Sequence, residues 1–515
     1  MRGAQSRKVR NSGLIMLRAV LALACIFNLA SLAVADDAPP ADAPTQRASG
    51  SYPFGVAWGF LYGYGDAKPQ VFLPQLHKIG TGFTKVYLFW NQIEPKKGQF
   101  DWSAVDSLLN QLQNGDELLI SIFCSSQWGS RRPVEMLPPS PAKDLQDYEH
   151  FIHELVSHCK GRVKYWQNDC EPNDPIYWSG TVDDFLAELK AFHRAVKDVD
   201  PTAIVVAGGF DGLFNPPGMW QYPGQEKSLA MFGRVIIEDF DAYDLFDLRL
   251  YGDPYTIVYR VHYIADMMSR CGHPKPIICC EYNGPGFYEF PANIAYVKLV
   301  ADWSKSIADS STTRLAPAGG EGVASLYQKM AQLAPQTQMF MMGCAPDLDA
   351  KLRRMQCRDL VMRNMLAFSA GVHKTLFWDL WHDTSDKNDV MTLMYGKLKM
   401  MDKQNDVLSV QFPVAGAFWR MTQILAGIDS VKRIEMPDNP TIFLFETHCR
   451  PDRQVYVVWQ RRDAFSGEDQ PPIKFTWSAP LRDPKATDAL GKTVGITRES
   501  GQLSVMLSNT PIYVY

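Results

Sequence analysis

The stretch Val163-Lys164-Tyr165-Trp166-Gln167-Asn168-Asp169-Cys170-Glu171-Pro172-Asn173 starts as a short apolar run, turns polar and stops at a proline. Residues 181–199 then carry apolar side chains spaced for one helical face, Asp200-Pro201 breaks that pattern, and 203–208 is a second apolar run. Strand, amphipathic helix and strand make one βαβ unit, which implies parallel pairing with helices outside the sheet. The same alternation recurs on both sides of this unit. Strands are predicted at 54–59, 84–89, 117–123, 163–168, 203–208, 245–251, 276–280 and 374–379, with helices such as 101–113 and 145–160 between them. Eight such units over about 350 residues predict an α/β fold, a (β/α)8 TIM barrel spanning 53–405.

Two segments depart from this rhythm. The stretch 284–373 is far longer than one crossover helix requires, so it is expected to cap or wall the barrel mouth; closing the cleft into a pocket would favour action on chain ends, but the sequence does not distinguish internal from terminal cleavage. Beyond 406 the apolar period falls to two, at 441–446, 454–459, 473–477, 502–507 and 512–515, and predicts a small β-sandwich over 406–515.

At the N-terminus, Arg2, Arg7, Lys8 and Arg10 precede an apolar run interrupted by Arg18 and ending in Ala33-Val34-Ala35. This reads as an export signal over 1–35, followed by a Pro- and Ala-rich linker over 36–52. A retained anchor and lipidation at Cys25 are the other readings of the segment. The expectation is a secreted or periplasmic protein with no integral membrane association after cleavage. The remaining nine cysteines cannot all pair, and the sequence does not fix the pairing; Cys124 with Cys170, at the ends of neighbouring strands, and Cys344 with Cys357, closing a loop, are two candidates.

The net charge of −4, with no basic run past the N-terminus, offers nothing for nucleic acid to bind. A neutral partner fits, and 12% aromatic residues suit stacking on sugar rings. His273, His373 and His382 form no spaced ligand set, no Cys pair has CxxC spacing and no G-x-S-x-G elbow occurs, so no metal, no cofactor and no lipase-like triad are predicted. The sequence specifies no oligomeric state.

Cleaving a glycosidic bond requires a carboxyl to protonate the leaving oxygen and a carboxylate across the sugar. In a barrel both must sit at the C-terminal strand ends. Glu171, released into a turn by Pro172, and Glu281, which ends Pro276-Ile277-Ile278-Cys279-Cys280-Glu281, meet that requirement, with Asp169 and Asp379 as second choices for the acid.

Glu171-Pro172-Asn173 after strand four, Glu281 ending strand seven, and Trp90-Asn91-Gln92-Ile93-Glu94-Pro95-Lys96-Lys97-Gly98-Gln99-Phe100-Asp101-Trp102 after strand two resemble clan A glycoside hydrolases. In texture the chain is most similar to the β-xylosidase-like and β-galactosidase-like families. The resemblance implies a carbohydrate substrate and a retaining double displacement, with Glu171 as acid/base and Glu281 as nucleophile roughly 5–5.5 Å apart. It further implies that Tyr251 holds the nucleophile and that Trp378 floors the sugar site. Trp90, Trp128 and Trp381 are additional candidate platforms.

Two departures stand out. Cys170 occupies the place of an Asn that bonds the sugar 2-hydroxyl in such families, which passes that contact to Asn168, Asp169 or another group. Arg249 replaces a His, and is expected to pair with a carboxylate such as Asp169 or Glu281, the other use being an acidic or sulfated sugar. These departures keep open the alternative of a non-catalytic carbohydrate-binding barrel.

Overall fold

The computed structural model describes residues 52–62, 72–211, 213–309, 320–405 and 407–515. The expected export signal over 1–35 and nearly all of the 36–52 linker lie outside the described residues.

Eight parallel strands form one sheet in the order β5-β4-β3-β2-β1-β8-β7-β6, where β1 is Phe54–Leu61, β2 Phe83–Phe89, β3 Glu117–Phe123, β4 Tyr165–Asn168, β5 Ile204–Val206, β6 Phe246–Asp247, β7 Ile277–Tyr282 and β8 Val372–Phe377. Parallel bridges Val206–Leu245 and Phe210–Leu248 join β5 to β6 and bring the ends of the sheet together. The fold is an α/β barrel, with a strand near each predicted position. The helices between strands include α1 (Phe72–Lys78), α2 (Ser103–Leu109), α3 (Leu145–Cys159), α4 (Val182–Val199), α5 (Gln225–Glu238) and α6 (Ile257–Arg270). Thr181 starts α4 with a capping box: its hydroxyl accepts from Asp184 N, and Asp184 returns a carboxylate to Thr181 N.

Strand alternation sorts the side chains. Val86, Leu88, Trp166, Val205 and Leu248 belong to the helix-facing core, while Phe83, Leu119, Tyr165, Val206, Ile278, Cys280 and Leu376 fill one layer of the barrel interior. Above that layer the interior turns polar, with Lys85, Gln167, Asp247 and Arg249 fully buried.

The insertion folds into α7 (Val297–Asp309), α8 (Gly320–Gln328), shorter turns, and the long α9 (Pro346–Ser369). It has a core of its own, built on Phe287, Phe290, Trp303, Val323, Phe340 and Met355. Helix α9 is buried over most of its circumference from Leu352 to Phe368, because the barrel lies on one side and a C-terminal sheet on the other. Its charged groups are paired accordingly: Arg363 with Asp359 and Glu289, and Arg358 with Glu468.

After α10 (Val390–Tyr395), a hairpin of β9 (Met401–Gln404) and β10 (Val407–Gln411) leads into α11 (Pro413–Ile424), a helix within a region read as purely β. An antiparallel sheet follows in the order β11-β12-β13-β18-β15, made of Ile428–Ile434, Ile442–Cys449, Arg453–Gln460, Ile512–Val514 and Ala486–Asp488. It packs on a second sheet, β14-β17-β16, made of Ile473–Ser478, Gln502–Leu507 and Thr497–Glu499. Ile442, Leu444, Tyr456 and Val458 face that second sheet, whereas Phe443, Phe445, Val457 and Trp459 join the barrel's core. Trp459 Nε1 donates to Tyr255 Oη across this junction at 3.0 Å. Among the described residues no helix is long and apolar enough to cross a membrane.

All nine described cysteines are free thiols. The Cys124–Cys170 pairing fails because the two side chains face opposite layers: Cys124 lies against Glu188 of α4, while Cys170 lines the barrel mouth. Cys344 lies by Lys397 Nζ at 3.1 Å, whereas Cys357 is buried in the main core.

Candidate active site

Two interruptions of strand alternation aim the two glutamates at one cavity. On β7, the register against β8 shifts between Cys279 and Tyr282, and such a bulge re-aims side chains. Glu281 therefore faces the barrel interior beside the inward Cys280. Its carboxylate accepts from Lys85 Nζ at 3.0 Å, from Tyr251 Oη at 3.2 Å and from Tyr87 Oη, and pairs with Arg249. Burial alone would raise its pKa, but Arg249 and Lys85, with hydrogen bonds from Tyr87 and Arg249, bring it down to about 2.

On β4, Tyr165 and Gln167 point inward, so strict alternation would put Asp169 inward and Cys170 outward. Instead Asp169 and Glu171 adopt left-handed backbone, with φ of 54° and 47°. Non-glycine residues seldom do so, at a cost of about 1–3 kcal/mol each. Asp169 thereby turns to the helix layer, while the consecutive Cys170 and Glu171 both line the cavity. Glu171 N donates to Gly209 O at 2.5 Å, and Asp174 N returns to Glu171 O at 2.8 Å. Burial holds the Glu171 carboxyl well above the usual carboxylate range; Arg249 opposes this, and Glu281, Asp211 and Asp174 add to it.

Arg249 connects the two. Its guanidinium pairs with Glu281, lies 3.9 Å from Glu171 Oε1 and 3.4 Å from Asp247 Oδ2, and donates to Cys170 Sγ at 3.2 Å. Asp247 is fixed in turn by Gln167 Nε2 and Cys280 N, both at 2.8 Å. Gly209 leaves the space: any Cβ there would collide with the guanidinium and the Asp247 carboxylate. Arg249 thus pairs with Glu281, as one reading of the sequence had it, and also with Asp247, but not with Asp169.

The cavity has a volume of about 450 Å³, inside the ~300–1,000 Å³ range of small-molecule sites. Glu171, Glu281, Tyr251 and Trp378 line it, joined by Tyr288, Val300 and Trp303 of the insertion and by Met391, Met394 and Tyr395 of α10. The Trp378 ring meets Tyr395 edge-on at 5.1 Å.

Four predicted contacts lie elsewhere. Trp90 is fully buried under Trp128 and Phe151 and donates to Glu94 Oε2 at 2.8 Å. Trp128 donates to Glu94 O at 2.8 Å and lies under Lys97, outside the cavity lining. Trp381 packs on Trp58 beneath Lys403. Asn168, at an outward strand position, accepts from Tyr148 Oη of α3 at 2.6 Å, so it does not take over the contact that Cys170 gives up. The second-choice acids, Asp169 and Asp379, are buried and outside the cavity lining. Lys85, Tyr87 and Tyr395 were not foreseen; a lysine inside the apolar run Phe83-Thr84-Lys85-Val86-Tyr87-Leu88-Phe89 was the available signal. No cluster of three or more potential metal ligands occurs among the described residues.

No protein-family profile and no curated protein sequence matches the chain. Solved structures do. A family 39 glycoside hydrolase from Bacteroides cellulosilyticus superposes with a TM-score of 0.58 at 15% identity, covering 90% of this chain and 80% of that one. A monomeric β-xylosidase from Caulobacter crescentus gives 0.55 at 12%, covering 90% and 96%. A family 51 α-L-arabinofuranosidase from Bifidobacterium longum gives 0.55 at 10%, covering 93% and 97%. The fold is shared with glycoside hydrolases. These likenesses extend over the barrel and the C-terminal sheets together.

Proposed function

We propose that the protein is a secreted retaining glycoside hydrolase that acts on terminal sugars of oligosaccharides or polysaccharides. One observation carries this reading: two carboxyls converge on one guanidinium at one cavity, with their pKa values pushed to opposite sides of the ordinary range. Between those limits Glu281 is a carboxylate while Glu171 keeps its proton.

The Glu281 carboxylate attacks the anomeric carbon and forms an ester as the glycosidic C–O bond breaks. The bonding pair leaves with the aglycone oxygen, which takes the Glu171 proton. Water then attacks the anomeric carbon from the opposite face, Glu171 accepts its proton, and the bond to the Glu281 oxygen breaks, releasing the sugar and regenerating the carboxylate. Tyr251 and Tyr87 hold Glu281 in line, and Trp378 offers a ring face to the sugar. Walling of the mouth by the insertion supports action on chain ends, and the N-terminal Arg-rich and apolar segment supports export.

Sugar release from a panel of aryl glycosides and polysaccharides tests the reading. Glu171→Gln and Glu281→Gln are each expected to lose at least about 10²–10⁴-fold in kcat/KM. Azide is expected to rescue Glu171→Gln on activated substrates, and the first-formed product should keep the substrate's anomeric configuration. Wild-type silence across the panel, or activity indifferent to both changes, would favour a non-catalytic binding protein.

A further inference from the structure

On the helix side of β4, outside the cavity, two carboxyls meet. Asp169 and Glu188, the latter in the middle of α4, are fully buried. One oxygen of each is held by a backbone amide: Cys124 N donates to Asp169 Oδ1 at 3.1 Å, and Ala142 N to Glu188 Oε2 at 3.3 Å. Asp169 Oδ2 and Glu188 Oε1 have no other partner, the Cys124 thiol also hydrogen-bonds the Glu188 carboxyl, and the two side chains bond to each other. Two carboxylates cannot do this without a proton between them. The titratable groups facing the pair are the Cys124 thiol at the end of β3, Tyr148 of α3 and Asp184 of α4, the last paired with Arg131 at 2.8 Å. None of those three carries a positive charge.

The pair is attached to the turn that bears the acid. Backbone and hydroxyl contacts hold Asp169 to β3, with Asp169 N donating to Ile122 O at 2.8 Å and Ser121 Oγ to Asp169 O at 3.1 Å. Its side chain ties the left-handed 169–171 turn to α4 through Glu188. We infer that Asp169 and Glu188 share one proton, and that this protonated pair is a positioning latch keeping the turn in the conformation that presents Glu171 to the cavity. The inference rests on the reading of Glu171 as the acid.

The latch is pH-dependent. Burial and the neighbouring Glu188 raise Asp169 well above the usual range, and burial pushes Glu188 up to about 7. Glu188, whose pKa the bond from Asp169 lowers, gives up its own proton first, at about pH 7, and Asp169 keeps the proton between them, losing it only as pH rises well beyond neutral. Two adjacent buried negative charges then repel, and the turn loses its tie to α4.

Glu188→Gln tests this, because an amide donates to Asp169 with no proton to lose. Infrared difference spectra between acid and alkaline pH should show wild type losing the carbonyl band of a buried protonated carboxyl, and the variant lacking that change. With substrate, the alkaline limb of kcat should move to higher pH in Glu188→Gln at unchanged KM. Glu188→Leu, which cannot donate, should lower kcat about tenfold at every pH with KM little altered. Identical spectra, or an unmoved alkaline limb in a folded Glu188→Gln, would overturn the latch. The infrared arm needs no substrate, so failure of the hydrolase reading stays distinguishable from failure of the latch.

Discussion

Lys85 has no exposed side-chain surface, and its ammonium reaches Glu281 at 3.0 Å. A buried cation of this kind is retained only where it compensates a charge, and here it is one of two that hold Glu281 ionised. Lys85→Met removes one lowering influence, so the Glu281 pKa should rise and the acid limb of kcat/KM should move to higher pH. Below the new limb the rate should fall about tenfold per pH unit. A pH–rate profile checks this, and an acid limb that stays in place would show that Arg249 alone governs the carboxylate. The two glutamates were legible in the sequence because a charge that ends an apolar strand has few structural uses. Lys85 was hidden inside a strand that otherwise reads as continuous core. Trp90 and Trp128 misled for the opposite reason: an indole's size announces burial or stacking alike, and here both rings cover the Glu94 turn rather than a ligand. The turn at Asp169 was illegible, since left-handed backbone at Asp169 and Glu171 reverses the alternation that would have placed Asp169 inward and Cys170 outward.

At the scale of elements, α7 enters the site through Val300 and Trp303, and Ser304 Oγ ties it to Asp174 on the Glu171 turn at 3.3 Å. One helix thus lines the cavity and supports the Glu171 turn. Trp303→Ala should enlarge the cavity and remove stacking area, raising KM about tenfold while kcat changes less. Steady-state kinetics decide the matter, and a loss confined to kcat would mean that α7 acts through the turn instead. The barrel strands were legible because parallel strands covered on both faces are nearly unbroken apolar runs. Strand β11 was not: it contains Asp429, Lys432 and Arg433 and is mostly half-buried at the sheet edge. Helix α11 escaped because Val414, Ala417, Phe418 and Met421 pack on the barrel rather than in the sandwich, a division that local periodicity does not reveal.

Across the whole molecule, the buried carboxyls set how stability depends on pH. Glu281 and Glu468 are held at about 2, the first by Arg249 and Lys85 and the second by Arg354 and Arg358, each against burial. Between about pH 2 and 4.5 the folded chain therefore binds fewer protons there than the unfolded chain does, and stability rises with pH. Burial acts in the other direction on Asp169 and Glu171, held well above the usual range, and on Glu188 and Asp211, each pushed up to about 7. From about pH 4.5 to beyond 7 the folded chain keeps protons at these four sites that the unfolded chain has released, so stability falls as pH rises. The melting temperature should accordingly peak near pH 5 and drop by several degrees by pH 8. Calorimetry across that range measures it, and a melting temperature climbing from pH 5 to pH 8 would mean that these carboxyls are already ionised and compensated in the native state. Repeating the scans with Glu188→Gln separates the latch from the site, because that variant should lose part of the alkaline decline while Glu171 and Asp211 retain theirs.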